Sequence, residues 1–139
     1  MTVVISVDLC LQIHETEINA GSLRDRGLLE AAVAAPFAGF GNQEAFPTLI
    51  EKAARLAYGI AEAQAFNDGN KRLAWLSTVV FLELNGVELD VDQSEAARAI
   101  RALGSRGGTR REDEHAVSLT LEEFTQWLGR CVGFNGGSP

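Results

Sequence analysis

QAFNDGNKR, residues 64–72, decides how this chain is read. Asp68, Gly69, Asn70, Lys71 and Arg72 stand together, and a run that is apolar at nearly every position follows. That run predicts a helix over residues 71–84, apolar all round and therefore at the centre of a bundle, with Leu76 and Val80 buried. Gly69 lets the backbone turn where a Cβ would clash. The amides after it then fall at a helix N-terminus, where unpaired N–H groups and the helix dipole favour an anion. Lys71 and Arg72 add positive charge, and the Arg72 guanidinium can hold two phosphate oxygens at once. Asp68 has the chemistry to hold Mg2+, which takes one or two carboxylates together with phosphate oxygens. Phe66 anchors the loop in the core. The blander alternative is an N-cap, an Asp-Gly turn and two solvated cations. A charged start to a buried helix is costly unless something binds there, and this tips the reading towards a binding site.

Outward from this stretch the apolar spacing is helical almost throughout. Thr48 is placed to start a helix running to about Gln64, with Ile50, Ala53, Ala54, Ala57, Ile60 and Ala61 at helical spacing. Residues 28–36, LLEAAVAAP, read as a short Ala-rich helix stopped at Pro36. Ser6 is placed to cap a first helix, with Val7, Leu11 and Ile18 on one face, ended by Asn19, Ala20 and Gly21. Residues 22–27 form a connector, in which Arg24, Asp25 and Arg26 read as a surface ion-pair set. Residues 37–47, FAGFGNQEAFP, have glycines and aromatics but no helical period, and read as a loop or a small β-hairpin. Beyond Asn85 and Gly86, residues 92–103 form another helix and residues 104–115 a polar loop. Thr120 opens a last helix, with Glu123 completing a capping box. The end, GFNGGSP, reads as frayed. The expectation is an all-α bundle of about six helices with at most one hairpin. Residues 1–132 make one domain and 133–139 a flexible tail. Trp75 and Trp127 are assigned to the core. His14 is read as structural, with nothing near it in sequence to complete a site, and His115 as solvated.

With 46% hydrophobic and 22% charged residues, the 139-residue chain can bury a core and is not of disordered composition. A net charge of −7 gives no general attraction to nucleic acid or to anionic lipid, so neither is expected as a partner. The apolar run after Arg72 is broken by Glu83 and too short to span a bilayer. MTVVISVDLCLQI at the N-terminus has no basic segment and no small-residue cleavage site, so no signal peptide is expected. Cys10 and Cys131 lie near opposite ends and form no CxxC pair, which fits a reducing, cytoplasmic setting. Zinc-ligand spacing, a G-x-S-x-G elbow and a phosphate-binding P-loop are all missing from the sequence.

QAFNDGNKR resembles the signature of Fic-fold proteins, H-x-F-x-D/E-G-N-G/K-R, in the Lys variant of the Doc (death-on-curing) branch. IHETEI (13–18), GSLRDRGLLEAAVAAP (21–36), FPTLIEKAARLAYGIA (46–61) and FLELNG (81–86) look like the corresponding Doc blocks, so the resemblance spans most of the chain. It implies a compact Fic-fold helical bundle. It also implies transfer of AMP, or in Doc proteins of phosphate, from ATP to a hydroxyl of a target protein. Carried over, Asp68 would bind magnesium, Asn67, Gly69 and Asn70 would line the phosphate site, and Lys71 and Arg72 would grip the phosphates in catalysis. Residues 37–47, with Phe40, Gly41, Asn42, Gln43 and Glu44 at their centre, would be a flap that docks the target as an added strand. A small antitoxin would be the partner, and ATP with Mg2+ the cofactors.

Two positions depart from that pattern. Gln64 stands where the motif has its histidine, the general base, and Leu73 stands where a small Thr is common. An amide has no pKa near neutrality, and loss of a general base typically costs on the order of 10²–10⁴-fold in rate. Phosphoryl transfer leans mostly on positioning and electrostatics, which leaves room for residual activity. Two departures in one motif fit natural divergence better than a single inactivating change. Three readings follow: a Doc-type protein-modifying toxin impaired by Gln64, a diverged Fic-fold protein repurposed for small-molecule chemistry or for binding only, and a plain helical interaction module.

Overall fold

The computed structural model describes residues 1–104 and 118–135. Among them are α1 (Val7–Ile13), α2 (Arg26–Ala34), α3 (Leu49–Ala63), α4 (Asn70–Leu84), α5 (Gln93–Gly104) and α6 (Leu121–Arg130). Strand β1 (Gly39–Phe40) pairs with β2 (Gln43–Glu44), and β3 (Val87–Leu89) with β4 (Val132–Asn135), both antiparallel. The chain is a mostly helical bundle carrying one small hairpin, β1–β2, and one antiparallel pair, β3–β4, whose strands are far apart in sequence.

Helix starts follow the capping residues in the sequence. Thr48 with Glu51, and Thr120 with Glu123, form reciprocal capping boxes. Ser6 accepts the Leu9 N–H at 3.0 Å and Asp25 the Leu28 N–H at 3.2 Å. Asp25 thereby starts α2 at Arg26, two residues earlier than the Ala-rich run predicts, and Pro36 sits in a 3-10 turn, Ala35–Phe37. The first helix does not run regularly to Ile18. After Ile13 it widens into a π turn, His14–Ile18, closed by Asn19 at φ 51°. Its most buried side chains are Cys10, Ile13 and His14, while Val7, Leu11 and Ile18 flank them half-buried.

The centre of the bundle is the antiparallel pair α3 and α4, and α3 is the more surrounded of the two, touching α2, α4, α5 and α6. Ala53, Ala54, Ala57 and Ala61 are fully buried, and their small side chains let the neighbouring helices approach closely. The expectation for α4 is corrected here. It buries one stripe, Leu73, Ala74, Ser77, Thr78, Phe81 and Leu82, while Leu76 and Val80 are half-buried and Leu84 is 45% exposed. Uniform apolarity hid which stripe faces inward. Two of the inward residues are polar, and each is satisfied: Thr78 Oγ1 donates to the Ala74 carbonyl at 2.8 Å and Ser77 Oγ to Cys10 Sγ at 3.6 Å. Trp75 and Trp127 are likewise half-buried, in contact with each other with ring centroids 5.9 Å apart, rather than in the core.

The β3–β4 pair is a second departure. Residues 133–135, expected in the frayed tail, pair with β3 and carry the chain back beside the end of α4. Residues 136–139, and the 105–117 stretch that holds most of the expected polar loop and His115, lie outside the described residues.

Candidate functional site

The loop joining α3 to α4 is built by contacts from two distant stretches. Gln64 ends α3 in the left-handed conformation, φ 55°, which is uncommon for a residue with a side chain. Its carbonyl accepts a short hydrogen bond from the Arg24 guanidinium. The Ala65 carbonyl accepts the N–H groups of Arg24 and Asp25 at 2.7 and 3.0 Å, and Asn67 N–H donates to the Ser22 carbonyl at 2.9 Å. Leu23 and Phe66 form an isolated antiparallel bridge. The connector after the π turn is therefore a rail for the motif loop. Of the expected ion-pair set, Arg26 alone pairs among the described residues, with Glu30 at 3.0 Å and Asp8 at 3.4 Å, while Arg24 holds the loop and Asp25 caps α2.

Below the loop, Phe66 is buried and stacks on the buried His14 ring, centroids 3.7 Å apart. His14 Nε2 donates to the Asp68 carbonyl at 3.0 Å. Asn70 is buried, and its side chain closes the loop on itself, accepting the Phe66 N–H at 3.0 Å and donating to the Phe66 carbonyl at 2.8 Å. Gly69, at φ 82°, is where the chain turns into α4, and a Cβ there would lie 2.5 Å from Ile18 Cγ2. Gly21 faces the same loop: its Cβ would lie 2.5 Å from the Asp68 nitrogen. Only glycine permits either approach.

The result is an open cleft of about 440 Å³ lined by Gln64, Asn67, Asp68, Gly69, Asn70, Lys71 and Arg72, with Ile18 and Ala20 on the opposite wall. All seven motif residues singled out in the sequence come together here. Gly69 supplies no capping side chain, and the first hydrogen bond closing α4 is Leu73 N–H to the Gly69 carbonyl at 2.9 Å. The amides of Asn70, Lys71 and Arg72 thus lie at an uncapped N-terminus, the positive end of the helix. Lys71 and Arg72 make no ion pair among the described residues. Asp68 is the carboxylate of the lining. One of its oxygens accepts the Gly69 N–H at 2.7 Å. A second hollow, about 320 Å³, opens beside Lys71 and Arg72 between α4 and α5, with Trp75, Ala96, Ile100 and Arg101 in its walls.

A family model described as Fic/DOC family matches residues 4–82. The chain belongs to the Fic/DOC family. It is also 44% identical over 94 residues to the Toxin Doc of Mycolicibacterium smegmatis (strain ATCC 700084 / mc(2)155), a match covering 59% of this chain and 72% of that protein. In this Fic/DOC chain the matched segment holds both the connector rail and the motif loop, so the two halves of the cleft lie within one family unit.

Three placements were not readable from the motif. Leu73 is fully buried and absent from the cleft lining, so its side chain belongs to the core packing. Residues 39–44 form a hairpin, with Phe40 90% exposed, and none of them lines the cleft. Lys52 holds it at the start of α3 by donating to Glu44 at 2.6 Å and to the Phe46 carbonyl, while Gln64 lies past the far end of this 15-residue helix, roughly 20 Å away. The segment beside the cleft is 18–25. Ile18 and Ala20 were missed as cleft residues, and His14 and Gly21 as supports of its loop. The Doc-like blocks that contain them were the available signal.

Among the described residues, no helix is long and apolar enough to cross a membrane, and no cluster of three or more His, Cys, Asp or Glu side chains could hold a metal ion. Mg2+ would fit differently: Asp68 keeps one carboxylate oxygen for a cation whose remaining ligands come from phosphate oxygens and water.

Proposed function

We propose that this chain is a Doc-type Fic protein that binds ATP with Mg2+ at the start of α4, and that Gln64 leaves the transfer of phosphate or AMP to a protein hydroxyl without its general base. The observation that carries this reading is the gathering of all seven motif residues on one cleft, with Gln64 alone in the lining departing from the family pattern. The uncapped amides, Lys71 and Arg72 would hold phosphate oxygens. A carboxylate inside an anion site opposes the anion unless a cation lies between, which is the role Asp68 would have with Mg2+. The hollow beside Trp75 leaves room for the rest of the nucleotide. Gln64 can donate to or accept from a target hydroxyl but cannot take its proton at neutral pH.

Similarity to a protein named Toxin Doc supports a role as the toxin of a toxin–antitoxin pair; a small antitoxin would be its partner and the cytoplasm its place. A target whose hydroxyl reaches the cleft would meet residues 18–25 first. The exposed hairpin would hold a target at the other end of α3. The second reading, a diverged protein that binds a ligand without transferring it, is favoured by Gln64 itself.

Calorimetry with ATP and Mg2+ tests the site. The wild-type chain should bind and Arg72→Ala should bind more weakly. Equal affinities would remove Arg72 from the site, and no binding by either would remove the nucleotide.

A further inference from the structure

The Asp68–Gly69 peptide sits at the lip of the cleft, and its orientation is a choice. Gly69 has positive φ, 82°, and glycine accepts both signs of φ with little penalty, so this peptide is free to flip as far as its own sterics are concerned. One orientation turns the Asp68 carbonyl into the protein. The other turns a carbonyl oxygen, the negative end of the peptide dipole, into the place where an anion would lie. The structure has the first, and the group that meets the carbonyl is His14, 54 residues away in sequence, with Nε2 3.0 Å from the oxygen.

His14 is well suited to hold that orientation. It is 4% exposed, so water competes little for the carbonyl. Its ring lies against Phe66 at 3.7 Å with 14° between planes, and Phe66 is itself locked by both hydrogen bonds to Asn70. It projects from the π turn, whose widened backbone brings Ile18 against Gly69 as well. A carbonyl oxygen can only accept, so Nε2 carries the hydrogen.

We infer that His14 is a positioning residue for the anion cleft: its Nε2–H fixes the Asp68–Gly69 peptide with the oxygen inward, so that this peptide turns no carbonyl towards the anion. This rests on the cleft being an anion site, but its core, the fixed peptide, can be measured without any ligand.

Long-range ¹H–¹⁵N spectra of the wild-type chain should show His14 protonated at Nε2. A hydrogen on Nδ1 with Nε2 bare overturns the inference whatever the variants do. His14→Phe keeps a ring on Phe66 but cannot donate, and His14→Gln restores a donor. In His14→Phe the amide resonances of Gly69 and Asn70 should move while those of α6 stay. ATP·Mg affinity should fall by about tenfold, as for loss of one hydrogen bond. His14→Gln should recover both. Unmoved Gly69 and Asn70 resonances in His14→Phe, or failure of His14→Gln to recover them, overturn the inference. If His14→Phe does not fold, the Nε2 assignment and the resonances of His14→Gln decide it. If the wild-type chain binds no ATP·Mg, the proposed function fails separately, and the resonances still judge the peptide.

Discussion

Asn70 and Phe66 are joined through a single side chain, which accepts the Phe66 N–H at 3.0 Å and donates to the Phe66 carbonyl at 2.8 Å. The Asn70 side chain is thus spent on closing the loop. What Asn70 offers the cleft is its backbone N–H at the start of α4. Asn70→Ala should leave two buried backbone groups without partners, at about 1–3 kcal/mol each. The denaturation midpoint should fall clearly, and the Phe66 amide should lose protection from hydrogen exchange. An unchanged midpoint with Phe66 still protected would show that the loop closes without this side chain.

Gln64→His should restore the transfer reaction. Position 64 lines the cleft in the left-handed region, where histidine is several-fold enriched among non-glycine residues, so the replacement fits the backbone as it stands. Imidazole supplies a base that titrates near neutrality. Leu73, the other departure, is in the core and out of the lining. The His variant is expected to be toxic on expression in bacteria, or to label a protein in lysate from radiolabelled ATP, and the present chain to do neither. A folded His variant that is harmless and unreactive would favour the repurposed reading.

Two leucines of α4 should behave differently. Leu73 is fully buried, and Leu73→Ala should cost about 2–5 kcal/mol. Leu76 is half-buried, and Leu76→Ala should cost only about 1 kcal/mol. Urea denaturation of both variants checks the inward stripe of the helix. Equal losses would contradict it.

Cys131 should make folding stability fall at alkaline pH. Burial, with smaller contributions from Glu95 and Asp90 and against the pull of Arg130, pushes its thiol from 9.0 up to about 11. The folded chain favours the neutral thiol, so this contribution is fully present below about pH 9 and is lost as the pH rises towards 11. Between these values the wild-type chain should lose more stability than Cys131→Ser, measured as the difference between their thermal melts. Identical pH profiles would mean that the thiol is not held neutral by the fold.

The sequence by itself determined the helix starts, because a cap is a local hydrogen bond between residues three apart, as at Thr48 with Glu51 and Thr120 with Glu123. It also determined the composition of the site, because the nine residues 64–72 carry the glycine, the carboxylate and the cations in contiguous order. It did not show which stripe of α4 faces inward, since a helix apolar nearly all round has no period to read. Nor did it show the β3–β4 pair, whose short strands lie more than forty residues apart. The opposite wall of the cleft and the support beneath it were decided by tertiary structure alone. His14, Ile18, Ala20, Gly21 and Arg24 reach the loop only once α1, its π turn and the connector pack beside the start of α4. A hydrogen bond spanning 54 residues leaves no mark in local spacing. The same packing sets the hairpin and the cleft at opposite ends of α3, because one helix of fixed rise, and no turn back, separates them.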